Sequence, residues 1–176
     1  MRKFNTIYEF GCGTGFNLAE LAQLFPQKKY HGLDFVNSSK EIIDSIAKTY
    51  KWNMNGHVFN MISPDKYFEL ESDSLIFTIG SIEQLASKFD VFLQFLIVKK
   101  PALCIHVEPI VELYDEKLLF DYLAIKFHKK RGYTQGMLPR LKELETQGNI
   151  KIEKVKRLYF GSLFMEGYSY IVWRPL

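Results

Sequence analysis

The chain has 176 residues, 47% hydrophobic and 24% charged, with a formal net charge of +3, the composition of one globular domain with one sizeable core. So small a charge argues against the dense basic face that nucleic-acid partners require, and two cysteines, Cys12 and Cys104, make no disulfide framework and fit a reducing, cytoplasmic setting. No apolar run approaches the ~20 residues of a membrane-spanning helix, and Met-Arg-Lys leads into a strand-like segment rather than a signal peptide, so no membrane partner is expected.

Asn5 to Phe10 is rich in β-formers and ends at glycines, which predicts a first strand. Leu18, Leu21, Ala22 and Phe25 then recur at helical spacing up to Pro26. Tyr30 to Phe35 reads as the second strand, and Asn37 or Ser38 can cap a helix that carries Ile42, Ile43, Ile46 and Ala47 on one side. Gly56 to Met61 gives a third strand. Asp73 to Ile79 is the continuous apolar run of a fourth, covered by helices on both faces. A helix over roughly Ile82 to Lys100 follows, Pro101 ends it, and Leu103 to Val107 is the fifth strand. The stretch from Tyr114 to Gln147 is mostly helical, interrupted by Gly132, Gly136 and Pro139. Ile150 to Leu158 and Tyr168 to Trp173 are strands with no helix between them; joined by a segment containing Gly161 and Gly167, they pair as an antiparallel hairpin. The 15 Phe and 10 Tyr residues suffice for this core and leave rings over for a pocket or an interface.

The first strand runs into Glu9-Phe10-Gly11-Cys12-Gly13-Thr14-Gly15, at the place where an open α/β sheet meets a nucleotide-type ligand. Gly11 allows a sharp turn, Gly13 lets a ligand approach bare backbone, and Gly15 opens a helix whose free N–H groups favour an anion. Such a loop can hold a pyrophosphate or a carboxylate. The dinucleotide fingerprint places its third glycine one residue later, where Phe16 stands, which disfavours NAD and FAD. Asp34 ends the second strand, placed to accept hydrogen bonds from two ribose hydroxyls, and Phe35 beside it offers an apolar face to a purine.

At these residues the sequence resembles the class I S-adenosylmethionine-dependent methyltransferases of the small-molecule type, whose first motif is an acidic residue followed by x-Gly-x-Gly-x-Gly. The resemblance implies an α/β, Rossmann-like doubly wound fold with a seven-stranded, mostly parallel sheet closed by a C-terminal antiparallel hairpin, in one domain over residues 1–176. It implies S-adenosyl-L-methionine as cofactor, with Glu9 shaping the loop and holding the methionine amino group, Gly11, Cys12, Gly13, Thr14 and Gly15 forming the loop, and Asp34 and Phe35 on the nucleoside. Asn60 and Met61 take the place of the adenine contact. Thr78-Ile79-Gly80-Ser81-Ile82-Glu83-Gln84-Leu85 resembles the segment after the family's fourth strand, so that Ile79 and Gly80 back the cofactor and Glu83 faces the reaction centre. Gly161 to Tyr168 and the stretch from Tyr114 to Gln147 resemble methyltransferase domains of surface-polysaccharide synthesis. Family members carry lid helices before the first strand. Only Met1 to Phe4 precede it here, so the expectation is a cover from a longer protein, from the Tyr114–Gln147 insertion, or from a second subunit.

Methyl transfer needs an acceptor lone pair placed in line with the sulfonium methyl, and a base only where the acceptor must lose a proton. Glu83, His106 and Glu108 are the candidates, the last two on one side of a strand by period-two alternation. The competing reading makes His106 a hydrogen-bonded core residue and Glu108 a support for the turn at Pro109; two ligands make no metal site, and none is expected. His128-Lys129-Lys130-Arg131 can bind an acidic substrate or be a solvated helix face. An Asn-Pro-Pro-Tyr motif is absent and Cys104 lacks a Pro-Cys context, which argues against DNA as substrate. The expectation is a methyltransferase acting on a small molecule, such as an oxygen of a sugar. The alternatives are a non-catalytic cofactor-binding module within a larger assembly and an NAD-dependent oxidoreductase.

Overall fold

A computed structural model of the chain describes residues 4–158 and 167–176. Its strands are β1 (Thr6–Phe10), β2 (Lys29–Asp34), β3 (Met54–Val58), β4 (Leu75–Ile79), β5 (Leu103–Glu108), β6 (Ile150–Arg157) and β7 (Ser169–Pro175). They form one sheet in the order β3-β2-β1-β4-β5-β7-β6. The first five are parallel, and β7 runs antiparallel between β5 and β6. The strand order reverses between β1 and β4, and the carboxyl ends there are where a doubly wound sheet opens a crevice. The fold is therefore the expected α/β sheet with its antiparallel closure; the Gly161 connection falls outside the described residues.

The helices are α1 (Phe16–Leu24), α2 (Asn37–Tyr50), α3 (Phe89–Lys99), α4 (Leu119–Arg131) and α5 (Met137–Thr146), with 3-10 segments at Ile82–Lys88 and Val111–Leu113. Strand alternation sends Ile7, Leu75 and Phe77 to one face, where they pack with Leu18 and Ala22 of α1 and Ile43 of α2. Tyr8, Phe10, Ile76 and Cys104 go to the other, against Phe92, Leu93 and Leu96 of α3 and Leu141 of α5. Phe10, Phe59, Phe92 and Phe95 make a cluster with centroids 4.9 to 6.3 Å apart, which accounts for part of the aromatic excess as core.

Four expectations need correction. The third strand runs from Met54 to Val58, not from Gly56 to Met61. A Cβ at Gly56 would stand 2.5 Å from the Lys40 carbonyl oxygen, so this glycine lets α2 lie on the strand rather than starting it. After Val58 the chain leaves the ladder, with the Phe59 N–H bonded to the Asp34 carbonyl at 2.7 Å. The predicted helix from Ile82 to Lys100 is broken at Ala86, at φ 53° and ψ −126°. The Thr134 hydroxyl lies 2.7 Å from the Ile82 carbonyl and 3.0 Å from that of Ala86, and the Thr134 N–H donates to the Glu83 carbonyl at 2.7 Å; these bonds occupy carbonyls that a continuing helix would use. Neither Asn37 nor Ser38 caps α2: Val36 is the cap residue, and the Asn37 amide donates instead to Glu41 at 2.6 Å. Pro139 does not interrupt a helix, because it falls in the first turn of α5, where its missing N–H costs nothing.

Candidate functional site

At the end of β1, Gly11 takes φ +73° and the chain turns so that the N–H groups of Gly11 and Cys12 both reach the Leu33 carbonyl, at 2.7 and 3.1 Å. A Cβ on Gly11 would lie 2.3 Å from Ser81 Cβ, and one on Gly15, at φ +77°, 2.1 Å from Ile43 Cδ1. These two glycines are packing requirements. Gly13, at φ +52°, is different, because nothing stands within 4 Å of where its Cβ would be. Its N–H donates to Asp34 Oδ2 at 2.9 Å, while Asp34 Oδ1 accepts the Val36 N–H at 3.3 Å. The loop and the acid after β2 are thus one hydrogen-bonded unit, with lone pairs of the carboxylate left over.

This unit forms one wall of a cleft of about 470 Å³, within the usual range for a small-molecule site. Gly11, Gly13, Asp34 and Phe35 line it from the β1 and β2 ends, Phe59, Asn60, Met61 and Ile62 from the loop after β3, and Gly80, Ser81, Gln84 and Leu85 from the segment after β4. Phe35 is 73% exposed at the rim. Asn60 Oδ1 accepts the Ile62 N–H at 2.9 Å, which folds that loop over the cleft. The Ser81 hydroxyl donates to the Phe10 carbonyl at 3.0 Å and binds the β4 segment to the β1 turn.

Seven of the residues singled out from sequence meet here: Gly11, Gly13, Asp34, Phe35, Asn60, Met61 and Gly80. Three stand behind them. Glu9 is buried, accepts from Asn17 Nδ2 at 2.7 Å on Oε1, and has no hydrogen-bond partner for Oε2 among the described residues. Burial, opposed by the Asn17 bond and reinforced by the Asp34 charge, pushes its carboxyl up to about 8. Cys12 is buried, and burial pushes its thiol up to about 12, a poor nucleophile. Gly15 serves the α1–α2 contact. Thr14 opens instead on a separate groove with Phe16, Tyr50 and Trp52, and Ile79 lies on a shallow depression beside Phe77 and Val107; neither lines the cleft, unlike the expectation for both.

The acid–base candidates separate. Glu83 is half-buried on the 3-10 segment that also carries Gln84 and Leu85, but unlike those two it does not line the cleft. His106 is fully buried, with Nδ1 2.9 Å from the Thr78 hydroxyl, and burial holds its imidazole down at about 3, neutral at any working pH. Glu108, 1% exposed, accepts the N–H groups of Ser81 and Ile82 on Oε1, both at 3.2 Å, and that of Glu83 on Oε2 at 3.3 Å. Burial raises its carboxyl, and the bonds from Thr78 and those three amides oppose the rise. The strand presents this pair to the interior rather than to the cleft: His106 is a core residue and Glu108 fixes the backbone turn that carries Glu83, which corrects the reading of either as an acid–base group in the cleft. In the basic run, His128 is buried, with Nε2 2.7 Å from the Thr134 carbonyl oxygen, while Lys129, Lys130 and Arg131 are exposed.

Sequence reasoning assigned no site role to Phe59, Ile62, Ser81, Gln84 and Leu85. Ser81, Gln84 and Leu85 did lie in the segment that carried the resemblance, and Ser81 had a further signal as a small residue after Gly80, where a close approach to the glycine turn demands one; Phe59 and Ile62 had none.

No protein-family model matches the sequence, and no curated protein sequence matches it. Solved structures match its fold. An O-methyltransferase from a trans-AT PKS multienzyme of Brevibacillus brevis, in complex with S-adenosyl-L-homocysteine, superposes with a TM-score of 0.69 at 12% identity, over 99% of this chain and 67% of that one. Mitomycin 7-O-methyltransferase gives 0.72 at 12%, over 98% and 49%. Human N-acetylserotonin methyltransferase, in complex with SAM, gives 0.61 at 15%, over 98% and 48%. The chain thus spans two-thirds of the first protein and about half of each of the others, and it has the doubly wound fold of these methyltransferases.

Proposed function

We propose that the chain is a single class I methyltransferase-like domain that binds S-adenosylmethionine in the cleft and methylates a small molecule, with an oxygen of a sugar or related metabolite as the acceptor class. The observation that carries this reading is the coupling of Gly13 to Asp34: a bare glycine N–H and the following carboxylate share one wall of a small-molecule cleft, with open space over the glycine. Asp34 retains acceptor capacity for ribose hydroxyls. Phe35, Met61, Ile62 and Leu85 offer apolar surface to a purine. Glu9 presents a bare carboxylate oxygen behind the loop, a fit for an ammonium, which would draw its proton off. These residues match the polar and apolar halves of the cofactor.

When bound, the cofactor supplies an electrophilic methyl group for in-line displacement. The chain's own part is positioning and the exclusion of water. Ser81 holds the floor of the cleft through the Phe10 carbonyl, and Gly11 holds it through the Leu33 carbonyl. Glu108 holds three successive amides and so fixes the backbone that carries Glu83 beside the cleft. Glu83 is the remaining candidate to take a proton from a hydroxyl acceptor.

The test is calorimetric titration of the chain with S-adenosylhomocysteine and, separately, NAD. Micromolar binding of the first alone is expected, weakened roughly 10- to 100-fold in Asp34→Ala by loss of charged hydrogen bonds. Equal binding of NAD, or an unchanged affinity in the variant, overturns the reading; tight binding without methylation across an acceptor panel favours a cofactor-binding module instead.

A further inference from the structure

Helix α4 is turned the wrong way for a core helix. Its inward residues are Asp121, Ile125 and His128, two of them polar: Asp121 holds the Arg157 guanidinium, and His128 bonds the Thr134 carbonyl oxygen. The large apolar side chains point outward, with Leu119 66% exposed, Phe120 61%, Leu123 39% and Phe127 43%. At 100° per residue these four occupy one arc of the helix. The exposed charges of α4 are Lys126, Lys129, Lys130 and Arg131, all basic, since its single acid, Asp121, is buried. A contiguous exposed apolar surface of this kind marks a contact that the isolated chain does not make.

We propose that α4 is an interfacial helix that seats the chain on an anionic lipid surface. Leu and Phe side chains on a convex ridge, flanked by Lys and Arg, are the pattern of a helix lying in the headgroup region with its apolar face sunk into the acyl boundary. Charge decides between occupants: the outer face of α4 carries only positive charge, which attracts an anionic leaflet and repels the same face of a second copy. No helix among the described residues is long and apolar enough to cross a membrane, so the contact is peripheral. The helix is also tied to the cleft. His128 anchors Thr134, whose N–H and hydroxyl hold the Ile82–Ala86 segment, so a surface engaged by α4 lies two hydrogen bonds, through Thr134, from the segment that carries Gln84 and Leu85. The inference stands apart from what the cleft binds.

The experiment is co-sedimentation of the full chain with vesicles of phosphatidylcholine alone and of phosphatidylcholine mixed with phosphatidylglycerol, with size-exclusion chromatography in parallel. Binding is expected to the mixed vesicles only, and to weaken as salt is raised. The double variant Lys129→Gln, Lys130→Gln is expected to lower the partition coefficient roughly 20- to 30-fold, from the loss of two charges near the surface. Leu119→Ser with Phe120→Ser is expected to abolish binding while thermal unfolding stays unchanged, since both side chains are exposed. Absence of binding, equal binding to neutral vesicles, or indifference to the variants overturns the proposal. So does a dimer that Leu119→Ser with Phe120→Ser dissolves, which would assign the face to a second copy.

Discussion

Replacing Glu9 by Gln isolates the cost of keeping a carboxyl behind the glycine turn. In the folded chain burial takes this group from 4.5 up to about 8, and at 1.36 kcal/mol per unit the shift corresponds to roughly 3 to 5 kcal/mol. Below the unfolded value both states carry the proton and nothing is lost. As pH rises, the unfolded chain releases its proton first, so stability is fully present below about 4.5 and has been lost once pH passes about 8. Buried His31, held down at about 4, and His106, at about 3, act on the acid side. They bind protons only when unfolded, lower stability as pH falls below about 6.5, and do so equally in wild type and variant. Urea unfolding followed by tryptophan fluorescence, at steps from about pH 5 to about pH 8, should therefore show Glu9→Gln gaining roughly 3 to 5 kcal/mol on wild type across the range. Parallel curves would falsify the assignment of a protonated, desolvated Glu9.

Further outcomes follow from the same geometry. Gly11→Ala should destabilise by more than about 2 kcal/mol, because a Cβ there meets Ser81 at 2.3 Å on a backbone that disfavours side chains. Gly13→Ala meets nothing, so in urea it should cost only the roughly 1 kcal/mol of putting a side chain on a left-handed backbone, yet weaken S-adenosylhomocysteine binding more than its stability loss explains; equal effects of the two substitutions would refute this division. Glu108→Ala, which strips the Ser81, Ile82 and Glu83 amides of their acceptor, should lower stability by roughly 2 to 4 kcal/mol, and Glu108→Gln should recover part of it, as read by calorimetric melting. His106→Phe should remove roughly 4 kcal/mol of the loss on acidification between about pH 6.5 and about pH 3, a change absent if His106 is solvated.

What the sequence made legible was whatever local spacing encodes. The continuous apolar run of β4 and the alternation of β6 are readable because burial on two faces or one leaves different patterns, and the glycine turn because its chemistry is contiguous. Distant contacts were illegible. Ala86 breaks a good helical pattern because Thr134, far along the chain, takes its carbonyls. Gly56 looked like a boundary and is instead the point where α2 crosses β3. His106 and Glu108 share a face by alternation, yet which face is covered depends on α3 and α5. Phe59, Ile62, Gln84 and Leu85 reach the cleft through loops whose paths are set by the bonds of Asn60, Ser81 and Glu108; the Asn60 bond to Ile62 is local, but Ser81 bonds Phe10 and Glu108 bonds Ser81 to Glu83, partners far away in sequence.

The position of β7 has a consequence for how the molecule is made. It follows β6 in sequence yet comes sixth in the sheet, wedged between β5 and β6 with Trp173 fully buried opposite Cys104. A ribosome would deliver β1 to β5 while the ladder edge of β5 stayed bare, and β6 would have no partner until residues 169–175 emerged. Closure of this half thus waits for residues 169–175, with β5 exposed in the interval as a template for stray strand pairing. Burial of Trp173 marks the step that ends this exposure.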